Sequence, residues 1–242
     1  MFISLVIPAY NEEKIIEAAV QSAVQYLDRE FCDDYELIVV SDGSTDSTDK
    51  KLEEMKAIYP KLITPGYHPN RGKGCAVRTG MMCANGDYVV FTDCDLAYGI
   101  EIVGTIAHKA KSDNADAVIG SRAIAKDGYA GYTLLRKIMS KTYLTLIRLV
   151  TGFGYSDSQC GIKCFTNKAA KQVFGKLTLD GFSFDLEALM LCKRMGLKVT
   201  ELPAVIINHR ESKVNPIRDA KRMLKDVGKI KKNFRTNAYN LK

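Results

Sequence analysis

The stretch Tyr88-Val89-Val90-Phe91-Thr92-Asp93-Cys94-Asp95-Leu96 decides the fold of this chain. It begins as a short run of β-branched and aromatic residues behind the turn-forming Asn85-Gly86-Asp87, which predicts a buried strand. It ends in two carboxylates, Asp93 and Asp95, which are separated by one small residue. On an extended chain, residues two apart point to the same side. We therefore expect both carboxylates to project together from the carboxyl end of a central strand, where open α/β sheets bind ligands.

The carboxylates of Asp93 and Asp95 repel one another unless a positive charge lies between them. A divalent ion such as Mg2+ or Mn2+, which also binds phosphate oxygens, is the natural occupant. A solvated Asp-x-Asp loop is the alternative, and it is the commoner meaning of the bare tripeptide. The position at a strand end and the further motifs below favour the metal site.

Length and composition are those of an ordinary folded protein. A chain of 242 residues, 46% hydrophobic and 26% charged, can build one sizeable core. Its seven cysteines lack the spacing of a disulfide framework or a zinc site, and no signal segment precedes the first strand, so we expect reduced thiols in an intracellular protein. No apolar run is long enough to cross a bilayer. The net charge of +7 is concentrated in residues 213–242, which hold ten Lys and Arg against two Asp.

Strands and helices alternate along the first half of the chain. Hydrophobic runs predict strands at Phe2–Pro8, Tyr35–Val40 and Ala117–Gly120, in addition to the acidic strand. The first amphipathic stretch between them predicts a helix with Asn11 as its N-cap, running to about Arg29. This alternation predicts a mostly parallel sheet with right-handed crossovers.

The alternation breaks in the second half of the chain. Thr133–Val150 has the spacing of an amphipathic helix, and so has the basic stretch that begins near Pro216. Between them, Phe184–Met195 predicts a helix and Lys198–Leu202 a strand. The two amphipathic helices either pack on the body or lie in a membrane interface, where their Lys and Arg would meet anionic headgroups.

Two further motifs follow neighbouring strands of the predicted sheet. These are Pro8-Ala9-Tyr10-Asn11-Glu12-Glu13 and Ser41-Asp42-Gly43-Ser44-Thr45-Asp46. A nucleotide suits the crevice that they share with the acid pair, because Tyr10 can lie against a base and Asp42 can accept from a ring N–H. Asn70-Arg71-Gly72-Lys73-Gly74 opens another helix but fails the Walker pattern. Each motif alone is compatible with a structural turn, and their joint occurrence favours a nucleotide site.

These motifs together resemble the family 2 glycosyltransferases of GT-A fold. More narrowly, the chain is similar to the dolichyl- or polyprenyl-phosphate glucosyl- and mannosyltransferases. Four later motifs carry the narrower resemblance: Gly120-Ser121-Arg122, Asp157-Ser158-Gln159-Cys160-Gly161-Ile162-Lys163, Phe184-Asp185-Leu186-Glu187 and Arg210-Glu211-Ser212-Lys213-Val214-Asn215.

The resemblance implies a single α/β domain over residues 1–242, with a Rossmann-like, mostly parallel sheet flanked by helices and with C-terminal amphipathic helices. Residues 1–122 would bind the nucleotide sugar and residues 123–212 the acceptor, while residues 213–242 would form a basic amphipathic helix. The implied reaction is an inverting transfer of a hexose from a nucleotide sugar, of UDP-glucose or GDP-mannose type, to dolichyl or polyprenyl phosphate. It would take place at the cytoplasmic face of a membrane with which the enzyme associates peripherally, without a nucleic-acid partner.

The resemblance also implies roles for individual residues. The nucleotide would be held by Pro8, Ala9, Tyr10, Glu12, Asp42 and Asp93. A Mg2+ or Mn2+ ion on the diphosphate would be held by Asp93 and Asp95. The acceptor phosphate would meet Arg122, Arg136 and Ser140, and the diphosphate would meet Arg210 and Lys213. Mannosyltransferase relatives often place Gln two residues after the second Asp, where this chain has Ala97, so a third protein ligand for the metal is not assigned.

Catalysis would rest on Asp95, through the metal, and on Asp157. Leaving-group charge develops on the diphosphate, so a metal and fixed cations should supply most of the rate. A phosphate monoester with a second pKa near about 6 is already a nucleophile at neutral pH. Asp157 is the candidate for a carboxylate near the reacting carbon, and capping a turn before Gly161 is its alternative role. For Asp185 and Glu187, a position in the first turn of a helix is the alternative to a functional role.

Three other functions are compatible with the sequence, and two of them are also enzymatic. One is a family 2 glycosyltransferase with a soluble or glycan acceptor. The other is a sugar-phosphate nucleotidyltransferase, although this chain lacks the Gly-rich basic N-terminal loop expected of one. A non-catalytic basic module that binds RNA or a membrane is the last, and it leaves the acid pair unexplained.

Overall fold

The computed structural model describes residues 1–129, 142, 144–145, 147–149, 151–208 and 216–241, and for residues 216–221 it describes the backbone alone. Its strands are β1 (Ile3–Ala9), β2 (Tyr35–Ser41), β3 (Leu62–Ile63), β4 (Tyr88–Phe91), β5 (Ala117–Ser121), β6 (Lys163–Thr166) and β7 (Val199–Pro203). Its helices are α1 (Ile16–Phe31), α2 (Thr48–Lys56), α3 (Lys73–Cys83), α4 (Ile102–Ser112), α5 (Asn167–Phe174), α6 (Phe184–Arg194) and α7 (Pro216–Arg235).

One seven-stranded sheet organises these elements, in the order β3-β2-β1-β4-β6-β5-β7. All pairings are parallel except those of β6, which runs antiparallel to both β4 and β5. The prediction of a mostly parallel sheet flanked by helices is confirmed. Two elements were not predicted: the two-residue strand β3 and the helix α5, which follows β6 directly.

Alternate side chains of the central strands enter two separate hydrophobic layers. Leu5 and Ile7 of β1 pack with α1 and α4, while Val6 packs on the opposite face with α3, α5 and α6. This period of two is what a strand buried on both faces requires. Gly80 lets α3 approach β1 closely, because a Cβ there would lie 2.3 Å from a methyl carbon of Val6.

The first helix begins later than its capping motif predicts. Asn11 has a φ of 52° and lies outside α1, which starts at Ile16. Instead of capping the helix, the Asn11 side chain accepts the backbone N–H of Thr45 at 2.8 Å. The prediction of an N-cap at Asn11 is therefore wrong, because a tertiary contact with the next strand-end loop replaces the local one.

The C-terminal helix α7 docks on the body of the protein. Val227 and Ile230 are buried against α6, and Phe234 lies against Tyr239 with 4.7 Å between ring centroids. Much of the predicted helix Thr133–Val150 lies outside the described residues, and those of its residues that are described are helical. Within the described part of the chain, we find no helix with the length and apolarity to span a membrane.

Candidate active site

The predicted motifs follow three parallel strands and lie at one edge of the sheet. Ala9 at the end of β1 pairs with Ser41 at the end of β2, and Val6 of β1 pairs with Phe91 at the end of β4. The loops that follow these strands therefore leave the same edge, as the sequence predicts for parallel strands. The backbone N–H of Asp42 donates to the Ala9 carbonyl at 2.8 Å and joins the first two loops.

The loop after β1 presents an aromatic ring to solvent. Tyr10 is 42% exposed, whereas Ala9 is buried beneath it and Pro8 is partly buried. The backbone N–H of Glu12 donates to the Thr48 hydroxyl at 2.9 Å, which ties the loop to the start of α2. The exposed ring is free to stack on a planar group, so the predicted role of Tyr10 is compatible with its position.

The Asp42 carboxylate is buried and accepts hydrogen bonds from the protein. It is 3% exposed and holds together the loop that leads into α3. Its donors are the Tyr67 hydroxyl at 2.9 Å, the Asn70 side-chain amide at 2.8 Å and the backbone N–H groups of Arg71 and Gly72, each at 2.9 Å. In this arrangement Asp42 orders the entrance to α3, and its contact with a nucleoside base stays a prediction.

Asp93 and Asp95 lie on a turn and not on an extended strand. β4 ends at Phe91, and the backbone N–H of Leu96 donates to the Asp93 carbonyl at 3.0 Å. The expectation of an extended chain through both acids is therefore wrong, and their joint projection beyond the end of β4 stays a prediction. The carboxylate of Asp95 accepts the backbone N–H of Ala97 at 3.1 Å, which fixes its orientation within the turn.

A lysine that the sequence left unassigned faces the acid pair. The ammonium of Lys73, the first residue of α3, lies 2.5 Å from the Asp93 carboxylate. Burial alone lowers the pKa of Lys73, but the charges of Asp93, Asp185 and Asp95 raise it above its ordinary value. Four charged groups therefore meet at this edge of the sheet, and the lysine partly neutralises the three acids.

Gly161 forms the wall behind Asp93. A Cβ at Gly161 would lie 2.3 Å from the Asp93 Oδ2 atom, so only glycine fits without moving the carboxylate. The backbone N–H of Gly161 donates to the Tyr98 hydroxyl at 3.4 Å. The segment before β6 thus packs directly against the Asp93 carboxylate.

The acid pair has the donor atoms that Mg2+ or Mn2+ prefers. Both ions take oxygen ligands, and Mg2+ is usually held by one or two carboxylates together with substrate phosphates and water. Among the described residues, no cluster of three or more His, Cys, Asp or Glu side chains has the geometry of a metal site. The residues present therefore suit an ion shared with a diphosphate better than one enclosed by protein ligands.

Behind the acids lies a fully buried ion pair. The ammonium of Lys163 lies 2.6 Å from the Asp185 carboxylate and 2.7 Å from the Cys160 carbonyl, and both charged side chains are almost completely excluded from solvent. Burial raises the pKa of Asp185, and the charges of Lys163 and Lys73 oppose that rise. Asp185 therefore connects the buried pair to the charges at the sheet edge.

Glu187 has a structural position in the same first turn of α6. It is fully buried and accepts the backbone N–H groups of Thr178 at 3.0 Å and Leu179 at 2.9 Å, as well as the Tyr239 hydroxyl at 2.7 Å. These contacts join α6 to the loop before it and to the C-terminus.

Two predicted site residues, Arg122 and Asp157, form a bidentate ion pair. The guanidinium of Arg122 donates to the two carboxylate oxygens of Asp157 at 2.7 and 2.8 Å, and both side chains are largely buried. They line a small pocket together with Tyr129, Leu144, Ser156, Ser158 and Gln159.

The ion pair sets the charge of Asp157. Burial raises the pKa of this carboxyl, but the Arg122 guanidinium and the backbone N–H groups of Gln159 and Arg122 outweigh burial and hold the pKa below its ordinary value. A carboxylate held in this way is a weak base, so Asp157 is better placed to orient the guanidinium than to accept a proton.

Four predicted residues lie outside the part of the chain that the structure describes. These are Arg136, Ser140, Arg210 and Lys213. Their assignments to the acceptor phosphate and the diphosphate stay predictions.

Comparison with known proteins decides the family. The chain matches the family model described as Glycosyl transferase family 2 over residues 4–174. This chain belongs to glycosyltransferase family 2. It is thus an enzyme that transfers a sugar, and the sugar-phosphate nucleotidyltransferase and the non-catalytic module are set aside.

Relatives of this family 2 glycosyltransferase match it over nearly all of its length. The dolichyl-phosphate beta-glucosyltransferase of Dictyostelium discoideum is 30% identical over 258 residues, which cover 100% of this chain and 77% of that protein. The human dolichyl-phosphate beta-glucosyltransferase is 31% identical over 252 residues, which cover 99% and 78% of the two chains.

A solved structure has the same fold as this family 2 glycosyltransferase. Glucosyl-3-phosphoglycerate synthase from Mycobacterium tuberculosis, in complex with Mn2+, UDP and glucosyl-3-phosphoglycerate, is similar with a TM-score of 0.69 over 93% of this chain and 78% of that one. At 22% identity this likeness concerns the fold alone, and it confirms the predicted GT-A fold.

Proposed function

We propose that this family 2 glycosyltransferase transfers glucose from UDP-glucose to dolichyl or polyprenyl phosphate with inversion, using Mg2+ or Mn2+. The observation that carries the proposal is the full-length similarity to dolichyl-phosphate beta-glucosyltransferases, at about 30% identity. The narrower motifs at residues 157–163 and 184–187 lie beside the acid pair, so the matched sequence includes the walls of the site.

Residues of this chain hold the donor in the proposed reaction. Tyr10 lies against the base, and Asp93 and Asp95 hold the metal ion on the diphosphate. When bound, the ion neutralises negative charge that develops on the leaving nucleoside diphosphate. Lys73 adds a fixed positive charge beside Asp93, and the predicted contacts of Arg210 and Lys213 with the diphosphate would supply two more.

The acceptor phosphate binds at Arg122 in the proposed reaction. Arg122 has a guanidinium that Asp157 orients through two hydrogen bonds. A guanidinium presented in this way suits the oxygens of a phosphate monoester, with Arg136 and Ser140 as predicted further contacts. The phosphate is already an anionic nucleophile at neutral pH, so the reaction needs its orientation more than a general base.

In this proposal residues 1–122 form most of the donor half and residues 123–212 most of the acceptor half, with Arg122 at the boundary and Arg210 reaching back to the diphosphate. The lipid acceptor requires the enzyme to work at a membrane surface, and we place it at the cytoplasmic face as a peripheral protein. A soluble or glycan acceptor is the remaining alternative within the family.

The test supplies the purified protein with UDP-glucose, GDP-mannose or another labelled nucleotide sugar, with and without polyprenyl phosphate and with Mn2+, Mg2+ or EDTA. We expect a labelled product that extracts into organic solvent only with UDP-glucose, the lipid phosphate and a divalent ion. The variant Asp93→Asn should lose this product. The matched control Asp33→Asn, whose side chain is fully exposed at the opposite edge of the sheet, should keep it. Label that stays in the aqueous phase on a soluble acceptor, or equal turnover with EDTA, contradicts the proposal.

A further inference from the structure

The helix α7 has one face packed on the protein and one face that is strongly basic. Val227 and Ile230 are buried, whereas the side chains on the outward side are exposed. The exposed cations are Arg222, Lys225, Lys229, Lys231, Lys232 and Arg235. We call this set the basic face of α7. Arg222, Lys225, Lys229 and Lys232 follow one another at three- and four-residue spacing, so they lie along one stripe of the helix.

Residues 222–235 of α7 hold six cations and one acid, and Asp219 lies one turn before Arg222. Asp226 is the acid in this part of α7, and it points inward to accept the Ser183 hydroxyl at 2.7 Å. Across the described residues, none of the six cations forms an ion pair. A row of like charges on a surface lowers stability by self-repulsion, and an anionic partner removes that cost.

The start of the basic face adjoins the candidate active site. Met223 of α7 contacts the side-chain amide of Gln159, two residues from Asp157, with 3.7 Å between sulfur and nitrogen. The Arg222 guanidinium lies over Gly181, and a Cβ atom added at Gly181 would be 3.4 Å from it. The basic face is therefore continuous with the side of the protein on which the acceptor pocket lies.

Exposed apolar side chains flank this end of α7. Phe182, next to Gly181, is 43% exposed, and Leu224 is 45% exposed among the cations. An aromatic ring and a leucine beside a row of lysines are the combination found where a protein rests on a bilayer.

We propose that the basic face of α7 binds the surface of a membrane that carries acidic headgroups. This inference rests on the proposed function in one respect: a lipid-borne acceptor explains why such a surface should adjoin the pocket of Arg122 and Asp157. Each cation held near an anionic bilayer strengthens binding by roughly fivefold. Loss of three cations should thus weaken vesicle binding by on the order of a hundredfold.

The experiment measures sedimentation of the protein with phosphatidylcholine vesicles that contain or lack phosphatidylserine, across a range of NaCl concentrations. The test variant is Lys225→Gln/Lys229→Gln/Lys232→Gln. The control variant is Lys50→Gln/Lys56→Gln/Lys111→Gln, which makes the same change of net charge on exposed lysines of α2 and α4. Because all six lysines are exposed, both variants should melt within a few degrees of the wild type.

We expect the wild type and the control variant to bind acidic vesicles in a salt-sensitive way, and the α7 variant to lose about a hundredfold in affinity. Equal binding by the two variants overturns the proposal, and so does equal binding to neutral vesicles. Tighter binding of the basic face to single-stranded RNA than to acidic vesicles also overturns it. No donor or acceptor is present in this assay, so its outcome is independent of the proposed sugar transfer. A water-soluble short-chain acceptor then shows whether transfer itself persists in the α7 variant.

Discussion

The buried ion pair between Lys163 and Asp185 makes a quantitative prediction about stability. Lys163→Met removes an ammonium that contacts the Asp185 carboxylate at 2.6 Å and the Cys160 carbonyl at 2.7 Å. The carboxylate left behind is almost completely buried and keeps only the more distant charge of Lys73. Breaking a buried pair by removing one partner costs about 3 to 5 kcal/mol, because an uncompensated charge stays in the interior.

That loss is large for this protein. Domains are typically stable by about 5 to 15 kcal/mol. For a chain of this length, each kcal/mol corresponds to roughly 2 to 4 °C in Tm. We therefore expect Lys163→Met to unfold roughly 10 °C below the wild type. The neighbouring Lys168 is exposed, so the matched change Lys168→Met should cost less than about 0.5 kcal/mol.

A double substitution separates the ion pair from simple loss of packing. Lys163→Met/Asp185→Leu removes both charges, and apolar replacement of a whole buried pair is often neutral. The double variant should thus be more stable than Lys163→Met alone. Guanidinium chloride unfolding followed by far-UV circular dichroism measures the wild type, Lys163→Met, Asp185→Leu, the double variant and the Lys168→Met control. A cost below about 1 kcal/mol for Lys163→Met, or strictly additive effects in the cycle, would refute the reasoning.

Three further predictions concern the sheet edge. Gly161→Ala pushes the Asp93 carboxylate out of place and should lower kcat/KM by about a hundredfold with little change in Tm. The control is Gly154→Ala, because a Cβ at Gly154 meets nothing within 4 Å. Unchanged kcat/KM in the Gly161→Ala variant would contradict the proposed geometry. Lys73→Met removes the cation beside Asp93 and should raise the affinity for Mn2+ in the absence of nucleotide by about tenfold in calorimetry; equal or weaker binding would show that the lysine does not compete with the ion. Asp157 has a pKa below its ordinary value of 3.8, so its ionised form stabilises the fold above that pH and this contribution is lost as the pH falls through the folded pKa. The unfolding free energy of the wild type should therefore fall more steeply with acid than that of Asp157→Asn, and parallel curves would contradict this.

Several features of the protein could be predicted from local pattern. Hydrophobic runs and the turns between them predicted the strands β1, β2, β4 and β5, and the alternation with helices predicted a mostly parallel sheet. The start of α1 was wrong because the Asn11 side chain bonds to Thr45, a contact 34 residues away in sequence. A two-residue strand such as β3 is too short to leave a periodic signal.

The candidate site also has features that local sequence predicts and features that it does not. The sequence placed Asp93, Asp95 and Tyr10 at one edge of the sheet, because the ends of parallel strands converge whatever the details of packing. It did not reveal that Lys73 pairs with Asp93 or that Arg122 and Asp157 neutralise one another. A Gly-Lys-Gly run at a helix start was the one local signal for the first contact, and it did not specify a partner.

The sequence by itself determined the alternation of strands and helices, the position of the acid pair after β4 and the basic character of the last helix. Each of these depends on residues close together in the chain, so hydrophobic periodicity and local charge are sufficient to predict it. Only the tertiary structure decided that β6 enters antiparallel between β4 and β5, bringing Gly161 against Asp93 and Lys163 against the first turn of α6. These contacts join distant segments through close packing, and local preference does not encode which side chains packing brings together.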